Sequence, residues 1–423
     1  MLGTEIVSAK TPSFKMVVKY FVTAIFSFLL LNFLLMINYT SIAGYFFQPR
    51  ILALVHIGTL GWITMIIFGA LFQLVPVVLE VKLFSETLGE IQYWIFTIGI
   101  IGLVTAFWNF DIRLHLLISA IMIVIAMIIF IVNLTITMFN VKKWNITGAY
   151  LIAALFYLLS TAAAGLLMAI NLGYPYIHGN HIQYLRLHAD VALIGWVLMV
   201  IMGVSYKLIP MFTLSHGYSM KPAWVTFFLI NTGLLGITTV MHYQHLNSLY
   251  FTFLLLIIAG VLTYLFEIYL ILKARVRKKI DIGIKHSIAA FAFLFVATIL
   301  GLLLTFVDFK NQGVTFSLIL VYGYTVIFGF ISMLIIGQLY KILPFLVWFH
   351  KYSSKVGTEP VPLLKDMFYE KVANTEFIIM IIAITGALIG LGINVSGIVL
   401  ISFSLMFLAS LLFTFNMITI FKK

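Results

Sequence analysis

Histidine is the residue type in this chain best suited to binding a metal, because its 423 residues include ten histidines and no cysteine. The absence of thiols excludes disulfides, iron–sulfur clusters and catalytic cysteines. Metal chemistry would therefore use imidazole or oxygen ligands. Nothing in the sequence resembles a phosphate-binding loop or a dinucleotide fingerprint, which argues against ATP-driven and nicotinamide chemistry.

Several candidate residues recur at a common distance from three prolines. Counted back from Pro76, Pro210 and Pro344, a polar or ionisable residue stands 20 or 22 positions earlier. The residues are His56, His188, Asp190, Tyr322 and Tyr324. At about 1.5 Å per residue, a helix carries all five roughly 30 Å from its inner end. The spacing therefore predicts one polar layer in the outer part of a membrane.

A glycine-aromatic motif places the three prolines in an internal repeat. Gly61-Trp62 recurs as Gly195-Trp196 and again as Gly329-Phe330. The interval from the first copy to the second equals that from the second to the third, and we call it the repeat interval. Two identical intervals are not expected by chance. We predict a single membrane domain, 1–423, built from units of about 17–150, 151–284 and 285–418.

The composition requires helices that span a membrane. Hydrophobic residues make up 63% of the chain and charged residues only 9%, too few to cover a soluble globule of this length. Twelve apolar segments are long enough to cross a bilayer, whereas a membrane barrel would show short alternating strands. The predicted fold is an all-α integral membrane protein. Its twelve transmembrane helices form a parallel threefold repeat of four, unlike the inverted pairs of many transporters.

The basic residues predict the orientation. With the N-terminus in the cytoplasm, only Arg50, Arg113, Arg186 and Lys310 of the 25 lysines and arginines face outward. Both termini should therefore be cytoplasmic. The net charge of +12 is explained by this distribution, so lipid rather than nucleic acid is the expected partner.

This arrangement resembles the main subunit of the haem-copper oxidase superfamily, which includes cytochrome oxidases and bacterial nitric oxide reductases. The resemblance rests on three four-helix units with chemistry on the outer halves of the second, sixth and tenth helices. In that family the second helix supplies a low-spin haem ligand, and His56 stands at the start of the second helix here. The family's tenth helix carries His-x-His, where this chain has Tyr322-Gly323-Tyr324. The resemblance therefore implies a divergent relative in a prokaryotic-type inner membrane, without an ordinary oxidase site.

The resemblance further implies one b-type haem in the outer half of the membrane. His56 is the expected axial ligand and His188 the candidate for the other, with the haem between the second and sixth helices or in a neighbouring pore. Arg50 and Arg186 precede these histidines on the outer side, where haem propionates require cations. Because His188 lies between Arg186 and Asp190, a polar cluster around a water cavity is the alternative for it.

Copper is the second cofactor that the resemblance raises. In the family, the sixth and seventh helices supply three copper-binding histidines, and His188, His242 and His245 have comparable positions. The spacing of His242 and His245 differs from the family's adjacent pair, so stoichiometric copper is not expected.

Two functions remain open from the sequence. The first is a haem-dependent membrane oxidoreductase or electron carrier, which would work with an electron donor or other respiratory subunits. The second is a non-redox protein that uses the same scaffold to transport or sense haem, an ion or a small molecule. In the second case Asp190 is the best candidate for a carboxylate that handles protons or ions. Tyr322 and Tyr324 would bind iron, donate hydrogen bonds or pack into an empty pore.

Overall fold

The computed structural model describes residues 12–42, 47–177, 181–243, 248–307 and 312–423. The chain is 85% helical, and its described residues contain no strand. Twelve helices in the described part are long and apolar enough to cross a membrane, which confirms the predicted number of spans. They are α1 (Phe14–Ile37), α2 (Pro49–Val78), α3 (Glu86–Trp108), α4 (Leu114–Phe139), α5 (Ile146–Gly173), α6 (His181–Thr213), α7 (Lys221–His242), α8 (Tyr250–Lys273), α9 (Ile282–Leu303), α10 (Thr315–Lys355), α11 (Glu370–Gly392) and α12 (Ser396–Lys422).

Five of these helices, α1, α3, α6, α9 and α11, begin five or six residues earlier than the hydropathy pattern predicts. The sequence places the ninth and eleventh spans at about 287 and 376, but α9 starts at Ile282 and α11 at Glu370. The Asp281 side chain caps α9 by accepting a hydrogen bond from the Ile284 N–H at 3.2 Å. The hydropathy pattern breaks at charged residues near the membrane surface, although the helix continues through them.

The helices form two compact units. The first contains Met1–Tyr20 and Ile67–Lys278, and therefore α3 to α8 with the first turns of α1 and the second half of α2. The second contains Phe21–Ile66 and Lys279–Lys423, and therefore α9 to α12 with the rest of α1 and α2. The predicted repeat units stay a prediction.

Three helices contain a π-helical segment at corresponding positions. The segments are Ile57–Thr64 in α2, Val191–Leu198 in α6 and Thr325–Ser332 in α10. They are separated by the repeat interval, and each begins directly after a residue of the predicted polar layer, namely His56, Asp190 or Tyr324. The widened turns of π-helices are frequent at functional sites.

Glycines bring neighbouring helices together in the same way in both units. A Cβ atom at any of four glycines would lie less than 3.0 Å from a ring or Cβ of the preceding helix. The contacts are Gly195 with Tyr157 and Gly203 with Tyr150 in the first unit, and Gly329 with Phe293 and Gly337 with His286 in the second. A larger side chain would push the two helices apart. The α5–α6 and α9–α10 pairs therefore pack in equivalent registers.

Candidate functional site

A buried histidine–glutamate pair joins α9 to α11 in the second unit. His286 Nε2 lies 3.3 Å from Glu376 Oε2, and neither side chain has exposed surface. Burial of an ionised group away from water costs several kcal/mol unless a partner compensates it. The two side chains supply that partner to each other.

The other ring nitrogen of His286 defines the tautomer of the imidazole. His286 Nδ1 is 2.9 Å from the Ile282 carbonyl oxygen, which can only accept, so Nδ1 carries a hydrogen and donates it. Nε2 therefore faces Glu376. The 3.3 Å approach of Nε2 to Oε2 is an ion-pair distance without a well-aligned hydrogen bond. With one proton on either Nε2 or the carboxyl group the pair is neutral, as imidazolium with carboxylate or as imidazole with carboxylic acid. Loss or gain of a proton leaves a net charge in the protein interior.

Two further side chains extend the pair across the second unit. The Tyr340 hydroxyl donates to Glu376 Oε2 at 3.4 Å, and Asn416 Nδ2 donates to the Tyr340 hydroxyl at 3.4 Å. Asn416 also bonds both backbone groups of Tyr369, at 2.8 Å to the N–H and 3.0 Å to the carbonyl. Each of α9, α10, α11 and α12 thus contributes one side chain to a connected polar network.

Charged groups surround the start of α9, close to this network. Lys341 forms an ion pair with Asp281, with side-chain exposures of 14% and 23%. The exposed Lys285 donates to Asn374 at 3.0 Å. Asp281 is five residues before His286, about 7.5 Å along the helix axis. The partly exposed start of α9 therefore lies within a short distance of the buried pair.

Aromatic rings fill the space beyond the pair, between α2 and α10. Ring centroids lie 4.4 Å apart for Tyr324 and Phe328, and 4.6 Å apart for Phe28 and Trp62, both stacked. The Trp62 indole N–H donates to Ser332 Oγ at 3.0 Å. The column continues through Phe413, whose ring is 6.2 Å from Trp62 and 5.9 Å from Tyr340. It ends at His286, whose ring lies 5.8 Å from Tyr340.

These aromatic rings occupy space that the haem implied by the family resemblance would need. In the family the low-spin haem lies between the second and tenth helices, which is where the Tyr324 and Trp62 stacks lie. A haem in this part of the second unit would need the volume that the rings occupy. The residues between α2 and α10 do not fit a haem.

His56 lies on another face of α2. A Cβ atom added to Gly58 would lie 3.3 Å from Leu31 and 4.0 Å from Ile327, so Gly58 faces α1 and α10. His56 is two residues earlier, about 200° around the helix, and points away from that contact. Its Nδ1–H donates to the Leu52 carbonyl at 2.7 Å. Arg50 is exposed in the first turn of α2.

The candidates on α6 form a polar cluster in the first unit. Arg186 Nε lies 3.9 Å from Asp190 Oδ2, and the Arg186 guanidinium also donates to the hydroxyl of Tyr250 on α8. His188 packs against α5, since a Cβ atom on Gly165 would lie 3.1 Å from its ring. Arg186 thus already contacts a carboxylate and a tyrosine. Both alternatives for His188, haem ligand and member of a polar cluster, stay predictions.

The copper candidates are only partly within the described residues. His242 is the exposed last residue of α7, and its ring contacts that of Tyr243 with centroids 4.8 Å apart. His245 lies outside the described residues. Among the residues that the structure describes, no group of three or more histidine, aspartate or glutamate side chains could hold a metal ion. Tyr322 is half-buried, and its ring lies beside Gly301 of α9.

No family model matches the sequence. No curated protein is significantly similar to it.

Sequence reasoning missed the buried network. The hydropathy pattern places His286 just outside the ninth span and Glu376 at the very edge of the eleventh, because it starts both helices too late. The partners are also far apart along the chain, so no local pattern connects them.

Proposed function

We propose that this chain is a proton-responsive membrane protein built on a scaffold like that of the haem-copper oxidases. A buried His286–Glu376 pair takes up and releases a proton in the second unit. This is the second of the two functions that the sequence leaves open, a non-redox protein, and the proton is the ion that is sensed or coupled to transport. The chain would lie in a prokaryotic-type inner membrane with both termini cytoplasmic, as the distribution of basic residues favours.

The threefold repeat is part of the proposal. It is supported by π-helical segments separated by the repeat interval and by equivalent glycine contacts between α5 and α6 and between α9 and α10. A third support is aromatic pairing. The rings of Tyr20 and Phe72, of Tyr150 and Tyr206, and of His286 and Tyr340 lie 5.6, 5.7 and 5.8 Å apart. Phe72, Tyr206 and Tyr340 are themselves separated by the repeat interval. In the third ring pair, His286 takes the place that Tyr20 and Tyr150 have in the first two pairs.

The observation that carries the function is the fully buried pair of a histidine and a glutamate. Histidine changes charge near neutral pH, and an ionisable pair inside membrane helices marks a functional site by default. A buried pair contributes little to stability compared with apolar side chains of similar volume. Its presence at the junction of α9, α10 and α11 therefore favours a role in proton exchange.

The surroundings of the pair favour access from one side. Asp281, Lys285 and Lys341 bring water and charge to the start of α9, whereas the aromatic column from Tyr340 to Tyr324 offers few polar groups. A proton would enter and leave at the end where α9 begins. Under this proposal, protonation changes how α9 to α12 pack and does not drive conduction through the column.

Titration of the purified protein in micelles tests the proposal. We expect an acid pulse, followed with a pH-indicator dye, to show about one more proton bound per chain in wild type than in Glu376→Gln. The amide keeps the shape of the side chain but does not exchange a proton. Glu370→Gln is the matched control, because Glu370 is exposed six residues earlier on the same helix. Equal uptake by wild type and Glu376→Gln at every pH would remove the proposal.

A single b-type haem at His56 is the second candidate. The Nδ1–H bond to Leu52 directs the lone pair of the neutral imidazole to Nε2, the arrangement that many iron-binding histidines use. If haem binds there, the purified protein has a reducible b-type spectrum, and His56→Ala abolishes it while His216→Ala, at an exposed loop position, does not. A pyridine haemochrome assay measures the haem content, and a colourless preparation from haem-supplemented cells would eliminate this candidate.

A further inference from the structure

A repeated position near the ends of α4, α8 and α12 carries two asparagines and one glutamate. Asn133, Glu267 and Asn416 each lie six residues before the end of their helix. Asn133 and Glu267 are separated by the repeat interval, as the π-helical segments are. All three side chains are buried, with exposures of 0 to 1%.

The two asparagines perform the same structural task. Asn133 bonds both backbone groups of Ser85, which precedes α3, at 3.1 Å to the N–H and 2.7 Å to the carbonyl. Asn416 makes the equivalent two bonds to Tyr369, which precedes α11. An amide can do this because it donates and accepts at once. The position therefore ties the end of one helix to the start of its antiparallel neighbour.

Glu267 lies at the corresponding place beside the first turn of α7. Its carboxyl group is next to the backbone of Ala223 and the hydroxyl of Tyr206, yet neither carboxyl oxygen makes a well-formed hydrogen bond. The buried hydroxyls of Tyr206 and Thr226 also lack such a bond. An ionised carboxylate only accepts hydrogen bonds, so it does not reproduce the paired bonds of asparagine.

No cation compensates Glu267 within the described residues. The ionisable groups that act on it are the phenols of Tyr150, Tyr206, Tyr218 and Tyr264, from α5, α6, the α6–α7 loop and α8. Lys207 on α6 and Lys221 on α7 have exposed side chains, and no ion pair to Glu267 is formed. A buried carboxylate with only phenols around it is costly, whereas a carboxylic acid is not.

We infer that Glu267 is a second proton-binding site, which ties the end of α8 to the start of α7 only when its carboxyl group is protonated. The acid O–H donates to the Tyr206 hydroxyl, which donates in turn to Thr226, and the other carboxyl oxygen accepts from the Ala223 N–H. One proton thus satisfies every polar atom that lacks a bond here. Release of the proton leaves a charge among phenols and loosens the α6, α7 and α8 ends. The inference does not depend on the His286–Glu376 pair, which lies in the other unit.

Two substitutions separate this role from a purely structural one. Glu267→Asn restores the residue that the other two repeats use, and Glu267→Gln keeps the length of the side chain. Both supply a donor and an acceptor without a proton to lose. Glu86→Gln, at an exposed glutamate in the first turn of α3, is the matched control.

Carbodiimide labelling and infrared spectroscopy provide the test. Dicyclohexylcarbodiimide modifies protonated carboxyl groups in apolar surroundings, so wild type should give an adduct mapped to Glu267 that declines in alkaline buffer. The infrared spectrum of wild type should contain a carboxylic-acid C=O band that Glu267→Asn and Glu267→Gln lack but Glu86→Gln and Glu376→Gln retain.

The thermal stability of wild type should also fall as pH rises, more steeply than that of Glu267→Gln. Absence of the adduct at acidic pH, or an unchanged band in Glu267→Gln, would overturn the inference while leaving the Glu376 result unaffected.

Discussion

His286→Leu should destabilise the protein by about 3–5 kcal/mol at a pH where Glu376 is ionised, because the substitution leaves a carboxylate fully buried without its partner. The loss should shrink in acidic buffer, where Glu376 takes a proton and becomes neutral. Reversible unfolding in mixed micelles, followed by the loss of helical circular dichroism, measures the change. His216→Leu, at an exposed loop position, controls for the loss of an imidazole and should change stability by no more than about 0.5 kcal/mol.

The double variant His286→Leu with Glu376→Leu gives the stricter comparison. Two apolar side chains of similar volume commonly replace a buried pair at little cost, so most of the lost stability should return. Proton uptake should stay abolished in this variant, which would separate the chemistry of the pair from its structural effect. Destabilisations that simply add in the double variant would show that the two side chains are not coupled.

Trp62→Ala should cost about 3–5 kcal/mol, because it removes a fully buried ring from the column between α2 and α10. The indole stacks on Phe28 and donates to Ser332, so the substitution leaves both a cavity and an unpaired hydroxyl. Trp94→Ala is the matched control, since Trp94 is 55% exposed on the outside of α3. The same unfolding assay gives both values.

The effect of Trp62→Ala also tests whether aromatic rings fill the space between α2 and α10. If the rings pack as described, the cavity is apolar and destabilises the second unit. A loss below about 1 kcal/mol would contradict tight packing there and would reopen the space between α2 and α10 to a bound ligand.

The membrane architecture was predictable because its signals are local. Long apolar segments identify the twelve helices, and the recurrence of Gly61-Trp62 at the repeat interval locates the corresponding positions that prove to be π-helical. The π-helical bonding itself was not predictable, since residue type does not specify which carbonyl a backbone N–H selects. The predicted starts of α9 and α11 are too late because charged residues in a first turn resemble a break in hydropathy.

The candidate sites were predictable only in part. Arg186 and Asp190 are four residues apart on one helix, so their contact follows from helical spacing. His286 and Glu376 meet only after α9 and α11 pack, and no feature of either segment alone indicates the other. The meaning of Glu267 required the comparison with Asn133 and Asn416, whose hydrogen bonds appear only in the folded chain.

The central claim is that His286 and Glu376 share one exchangeable proton, and pH-difference infrared spectroscopy of the protein in lipid tests it most directly. Exposed histidines and carboxyl groups also respond to pH and give a background that all variants share. Beyond that background, we expect one carboxyl band and one imidazole band of wild type to change together between acidic and alkaline buffer, because both groups belong to one coupled titration. Both changes should vanish in Glu376→Gln and persist in Glu370→Gln. An imidazole change that is the same in Glu376→Gln as in wild type would contradict the shared proton.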